Sequence, residues 1–387
     1  MNGSEASSFM GAVFGIVPET MTAFAVFLIG AAFGAVVQRS HFCTMGSISD
    51  AVLFGSLRRL RIWALAIAMA LLGSQALDGA GLVALAGTSY RQPVLFWLGA
   101  VLGGLVFGFG MVLAGGCPSR NLVRLGTGSL KALTALLVTG IATYATILGV
   151  LAPLHASLRA VGTLPLGEDQ GLPAILAAAT GLPATAWTVA LTLLVASALL
   201  AFSLRDPAFR RAPGEIATGL ALGALVPAGW LATGWLGADP MTPAHPQSLT
   251  YVGPVGNSLL WLMTGGSDRP GFAVALVAGT LLGAFAVGLW CRQIRLETFV
   301  ARDDMVRHLA GGALMGCGGA LAQGCTIGQG LTGVATLSLG SWLTLAAILA
   351  GGWWGVKHLE TGRLLPFLPA PVRAAAPLAD TGARHVR

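Results

Sequence analysis

Apolar residues along this chain come in blocks about twenty long, separated by short polar breaks that hold most of the basic residues. A helix that crosses a bilayer needs roughly 17–25 predominantly apolar residues. About nine blocks meet or approach that length, at 20–38, 62–82, 94–114, 130–151, 186–204, 215–235, 271–290, 306–322 and 341–356. Shorter apolar pieces at 48–56, 121–126, 257–263 and 327–338 cannot cross, and are expected to be surface helices or re-entrant half-helices. The pattern predicts an all-α polytopic membrane protein, with about nine transmembrane helices plus short re-entrant ones.

The breaks also orient the chain. Arg39, Arg58, Arg59 and Arg61 follow the first span, and Arg120, Arg124 and Lys131 follow the third. Arg205, Arg210 and Arg211 follow the fifth, and Arg292, Arg295, Arg302 and Arg307 the seventh. Lys357 and Arg363 follow the ninth, whereas the opposite loops hold Arg91, Arg159 and Arg269. Short loops rich in Lys and Arg stay in the cytoplasm. The N-terminus is therefore expected outside and the C-terminus inside. The opening MNGSEASSFM has no basic stretch, so no cleaved signal peptide is expected. A disordered tail is expected over 370–387.

Composition agrees. The 387 residues are 55% hydrophobic and 10% charged, where a soluble domain is about 25% charged, and the mean hydropathy is +0.78. One integral membrane domain over 1–387 accounts for this. The net charge of +7 would suit nucleic acid, but its bearers sit in orientation loops, so no nucleic-acid partner is expected.

One pattern occurs twice. GGLVFGFGMVLAGGCPSRNLVRLG covers 103–126, and GGALMGCGGALAQGCTIGQGLTG covers 311–333. Laying Cys117 on Cys325 sets Gly103, Gly104, Gly108, Gly110 and Gly116 on Gly311, Gly312, Gly316, Gly318 and Gly324. The third span delivers Cys117 to one side and the eighth delivers Cys325 to the other. The same motif in opposite senses predicts an inverted repeat with a site near the midplane. The halves are drawn at 20–151 and 270–358, joined by connecting spans and loops at 152–269. GAAFGA from Gly30 and GTLLGA from Gly279 set the first span against the seventh.

Five cysteines are present, without zinc spacing. Cys291 and Cys317 read as small buried hydrophobes. Cys117 and Cys325 each follow a glycine and open an irregular polar segment, CPSRN and CTIGQG. Pro118 suits the first turn of a helix, whose N-terminus favours an anion. Irregular backbone at membrane depth must be packed in protein or line a cavity. Both cysteines are thus candidates to touch an anionic or polarizable solute, with Gly116 and Gly324 beside them. Ser119, Asn121, Thr326 and Gln329 either hydrogen-bond the solute or satisfy the turn itself. Arg120 and Arg124 either attract an anion or serve orientation alone. Cys43, in QRSHFCTMGSISD, has a similar context but no repeat partner, and its residues leave it between buried and functional. His41 reads as interfacial. No carboxylate pair stands inside a span, which argues against a site coupled to protons or sodium through buried acids. Neither repeat ends as a Walker A loop, and the histidines are scattered. No metal or other cofactor is expected.

GMVLAGGCPSRNLVRLGTGSL, the second glycine ladder and QRSHFCTMGSISD together resemble the signatures of the YeeE/YedE sulfur-transport family, over roughly 30–355. The resemblance implies an hourglass-shaped helical fold whose inverted halves bring re-entrant helices to a constriction. It implies a transporter rather than an enzyme, importing thiosulfate through a bacterial inner membrane. Its functional cysteines map to Cys43, Cys117 and Cys325, and it gives Cys291 and Cys317 no role. It also implies membrane lipid around the chain and a small TusA-type sulfur-carrier protein on the cytoplasmic side. The segment 153–270 carries no signature. Thiosulfate is a small dianion with a soft terminal sulfur. Weakly donating thiols would pass it along by S–H···S contacts, since conduction requires binding weak enough to release. Other readings stay open. One is a membrane sulfurtransferase forming a cysteine persulfide. A second is a transporter of selenium compounds, sulfite or another sulfur oxyanion. A third is a channel for a non-sulfur solute, which would tolerate serine at all three positions.

Overall fold

Helix α1 (Pro18–Ser40) is followed by the short α2 (Thr44–Phe54) and by α3 (Arg58–Gly79). A strand β1 (Val94–Phe96) leads into a π-helical turn at Gly99–Gly103, which continues as α4 (Gly104–Leu113). Then come α5 (Pro118–Gly126), α6 (Leu130–Ile147), α7 (Ala152–Val161), β2 (Thr163–Pro165), α8 (Leu172–Thr180), α9 (Ala184–Leu204) and α10 (Pro207–Arg210). The chain ends with α11 (Pro213–Gly234), α12 (Val252–Met263), α13 (Phe272–Trp290), α14 (Arg302–Leu321), a π-helical turn at Gly328–Gly333 and α15 (Leu339–Thr361). This computed structural model describes residues 18–167, 169–237, 245–266 and 271–363. The expected tail, the MNGSEASSFM start and Arg269 lie outside the described residues.

Eight helical stretches among the described residues are long and apolar enough to cross a membrane. The protein is therefore an all-α polytopic membrane protein. The expected span at 306–322 is the helix α14, whose first turn carries Asp303 and Asp304 and which falls outside that group. The four short apolar pieces also appear, as α2, α5, α12 and the turn at Gly328–Gly333. Two of them are buried, whereas the second half of α12 and the end of α2 are exposed, with Met263 74% and Phe54 77% accessible. Pro118, Ser119, Asn121, Leu122 and Val123 of α5 are buried, as is every residue from Gly328 to Gly333. Backbone that breaks at membrane depth is tolerable only when protein covers it in this way.

Glycines let the long helices approach until backbones touch. On α4 and its preceding turn, a Cβ at Gly103 would stand 2.7 Å from the Gly318 carbonyl oxygen, and one at Gly110 2.8 Å from that of Gly311. Numbers rise on one helix as they fall on the other, so α4 and α14 are antiparallel. Gly104 and Gly108 face Thr344 and Ile348 of α15, while their repeat mates Gly312 and Gly316 face Ala135 and Thr139 of α6. Gly219 and Gly223 of α11 press on Ile62 and Ala66 of α3.

Gly30 and Gly34 of α1 meet the Leu276 and Thr280 carbonyls of α13, and Gly279 and Gly283 meet Phe27 and Ala31 in return. Here numbers rise together, so α1 and α13 are parallel. A two-fold that exchanges the antiparallel α4 and α14 cannot also exchange this parallel pair. The likeness of GAAFGA to GTLLGA is a shared small-residue packing surface between two neighbours, and it does not extend the glycine-ladder repeat.

The unsigned middle segment is tied down from three sides. β1 and β2 pair antiparallel, Leu95 opposite Leu164, a two-stranded element the helical pattern did not contain. Arg91 pairs with Asp169. Leu172 N donates to Leu337 O at 2.9 Å, and Leu339 N to Gln170 O at 3.1 Å.

Candidate functional site

Three of the five cysteines share one local design. Two residues before each, the backbone turns left-handed: His41 (φ 51°), Gly115 (φ 68°) and Gln323 (φ 55°). That conformation ends the preceding helix. The cysteine then heads the next helical turn, its carbonyl accepting from the amide four residues on: Ser47 at 3.0 Å, Asn121 at 2.9 Å and Gln329 at 2.8 Å. Cys43 Sγ accepts from Gly46 N at 3.5 Å and Cys325 Sγ from Gly328 N at 3.3 Å. Cys117 Sγ instead meets Ser119 Oγ at 3.2 Å. Cys43, without a partner in the repeat, thus shares the backbone design of the other two. Cys117 and Cys325 are buried and Cys43 is half-buried. The Cys117 thiol stands within electrostatic reach of both others. Cys291 lacks this setting: it ends α13, with Arg39 near its sulfur. Cys317 lies within α14.

The residue four places after each cysteine pins the turn. Asn121 Nδ2 donates to Gly116 O at 3.0 Å. Gln329 Nε2 donates to Ala322 O at 3.0 Å and Gln323 O at 3.1 Å, and its Oε1 accepts from Ser341 Oγ at 2.7 Å. Ser47 Oγ donates to Cys43 O at 2.9 Å. Asn121 and Gln329 thus both hydrogen-bond the backbone of their own turn. Gly324 is the close approach that seats Gln329, since a Cβ there would lie 2.9 Å from its side chain. The Asn121 Oδ1 and Thr326 Oγ1 atoms are buried without a hydrogen-bond partner.

A mouth opens on each side of the thiols. On the Cys117 side, a cavity of about 300 Å³ is lined by His41, Arg120, Arg124, Arg295 and Glu297. Arg124 pairs with Glu297, and Arg120 donates to Val37 O at 3.4 Å. Arg120 stands within electrostatic reach of Cys43 and Cys117. The Glu297 carboxyl is held below its ordinary pKa, first by the Ser129 hydroxyl and then by Arg124. On the other side, a cavity of about 370 Å³ reaches Gln323, Gly324 and Gln329, with His155 and Arg159 at its wall. Burial and the nearby Arg159 charge hold His155 below its usual pKa.

Tyr251 went unrecognised in the sequence. It is buried ahead of α12, its hydroxyl 3.1 Å from Thr280 Oγ1 and its ring 5.0 Å from that of Phe33. It stands within electrostatic reach of Cys325 and Cys117. A lone tyrosine in SLTYVGPVGN carries no signal for this. Among the described residues, no group of three or more His, Cys, Asp or Glu could hold a metal ion.

Eight candidate spans packed around broken, buried helical turns define a multi-pass membrane protein. The family described as sulphur transport matches residues 39–354. The chain belongs to that family and is a sulfur transporter, not an enzyme. The thiosulfate transporter TsuA of Escherichia coli K12 is 28% identical over 341 residues, spanning 84% of this chain and 91% of that protein. The thiosulfate transporter TsuA of Spirochaeta thermophila is 28% identical over 336 residues, spanning 84% and 96%.

Proposed function

We propose that the protein imports thiosulfate through a bacterial inner membrane, with its N-terminus outside and its C-terminus in the cytoplasm. The ion enters by the Arg159 mouth, passes Cys325, Cys117 and Cys43, and leaves among Arg120, Arg124 and Arg295. The thiols stay protonated and donate S–H to its terminal sulfur. A thiolate at this place would repel a dianion. The observation that carries the reading is the shared left-handed stop and helix-heading cysteine at these three positions and not at Cys291 or Cys317. The cationic exit also suits a TusA-type carrier that collects sulfur on the cytoplasmic side.

The paired packing supports inverted halves, drawn as 18–147 and 213–361. α4 corresponds to α14 and α6 to α15, and the parallel pair α1 with α13 corresponds to α11 with α3. The second half then begins at α11 rather than at 270, and 152–210 is an insertion.

The test is uptake of labelled thiosulfate in cells lacking their own thiosulfate importers. Cys117→Ser and Cys325→Ser should abolish it at normal expression, and Cys291→Ser should keep it. A wild type that imports nothing, or three variants that import normally, would overturn the reading.

A further inference from the structure

Several buried helical threonines in this protein bond their hydroxyl to the carbonyl four residues back. Thr139, Thr143, Thr146 and Thr280 do so at 2.7–2.8 Å. Thr44 and Thr326 do not; neither does Thr192 within α9, but only the first two adjoin a thiol of the site. Each directly follows a cysteine of the constriction and opens a helical turn, where the residue four back lies beyond the break. Thr44 is 4% exposed and Thr326 0%, and the Oγ1 of each is buried without a hydrogen-bond partner. A buried, unmade hydrogen bond is destabilising. Valine has nearly the same shape and would avoid that cost. At the third thiol, where Pro118 takes the equivalent place, Ser119 Oγ stands 3.2 Å from Cys117 Sγ.

We infer that the solute is held at each rung by a pair of unlike donors, a thiol for its sulfur and an adjacent hydroxyl for its oxygen, from Thr44, Ser119 and Thr326. The inference rests on the thiosulfate reading and narrows it to anions that carry a soft sulfur and a hard oxygen together. A sulfur anion without oxygen leaves the hydroxyls unmatched, and sulfate leaves the thiols unmatched. A site built to hydrogen-bond one group discriminates strongly against a solute lacking it. Thr44 and Thr326 therefore act in selection, and the unpartnered hydroxyls are the cost of it.

Two measurements on the purified full chain and in cells decide this. The variants are Thr44→Val, Thr326→Val and the corresponding serine changes. Melting is followed without ligand and with thiosulfate, and uptake of labelled thiosulfate is measured in parallel. The valine variants should melt at or above the wild type without ligand. They should lose most of the rise in melting temperature that thiosulfate gives the wild type, and uptake should fall about tenfold or more. The serine variants should keep both. Valine variants that melt lower than the wild type would show that the hydroxyls already have partners, and would overturn the inference. So would valine variants that retain the ligand effect and uptake. If the wild type neither imports thiosulfate nor is stabilised by it, the transport reading fails by itself. The ligand-free melts then decide the hydroxyls: at or above wild type sustains them as open donors, below overturns them.

Discussion

Gly110 and Gly311 press on each other reciprocally. A Cβ on Gly110 would lie 2.8 Å from the Gly311 carbonyl oxygen, and one on Gly311 would lie 2.7 Å from that of Gly110. The contact sits where the two glycine ladders cross, so it sets the distance between the helices that deliver Cys117 and Cys325. Gly311 is the tighter of the two, since its Cβ would also stand 2.5 Å from Ala114 N. Backbone on both sides cannot rotate away as a side chain would. Gly311→Ala should therefore destabilise the fold by about 1–3 kcal/mol, as overpacked cores do, and lower uptake. Gly253→Ala is the control: nothing lies within 4 Å of its Cβ position, so melting should hold or rise slightly, helix propensity favouring alanine by about 1 kcal/mol. Equal melting temperatures for Gly311→Ala and wild type would refute this account of the ladder.

The left-handed residues before the thiols make a second prediction. Gly115 adopts φ 68° without penalty, but Gln323 holds the equivalent place at φ 55° with a side chain. For a residue with a Cβ this conformation costs roughly 1–2 kcal/mol. Gln323→Gly should thus be neutral to stabilising, the relief opposed by greater freedom in the unfolded chain. Gly115→Ala should destabilise by about 1 kcal/mol. Thermal melts of the two variants, run side by side, should shift in opposite directions or leave Gln323→Gly unchanged. A fall for Gln323→Gly larger than that for Gly115→Ala would mean that the Gln323 side chain has a task of its own.

These turns also explain what could be read from the chain. Spans, short apolar pieces and the Gly-Cys repeat were legible because each is a pattern of residue types. The similar context of Cys43 was legible too, but the turn it shares with the other thiols was not, because a backbone conformation carries it, and His41, Gly115 and Gln323 share no side-chain chemistry. The pairing of GAAFGA with GTLLGA misled for the converse reason. Small residues four apart mark any close helix contact, and only the parallel run of α1 and α13 separates a neighbour from a repeat mate. Between α6 and α11 the span at 186–204 was legible and is α9, but the way the segment is anchored was not, because its anchors are distant in sequence, as with β1 on β2 and Gln170 on Leu339.

The last prediction concerns acid. Glu297 clips the loop before α14 onto the start of α6. Its carboxylate accepts from Ser129 Oγ at 2.8 Å and Arg124 Nη2 at 3.1 Å, and its carbonyl accepts from Leu130 N at 2.9 Å. Its pKa is depressed in the fold, so the charged form is the one the fold prefers. The stabilisation is fully present above the unfolded carboxylate value of about 4.3. It is lost as pH falls through the lower folded value, because protonation releases both side-chain donors. Stability should accordingly be flat in this respect from pH 8 to about 5 and decline below about 4. Asp304, held low by the Lys131 ammonium, declines over the same range, so the informative quantity is a difference. Melting temperatures of wild type and Glu297→Gln should be offset at neutral pH and converge as the pH drops through the carboxylate range. An offset that stays constant down to pH 3 would assign the effect to the neutral hydrogen bonds of the side chain and not to its charge.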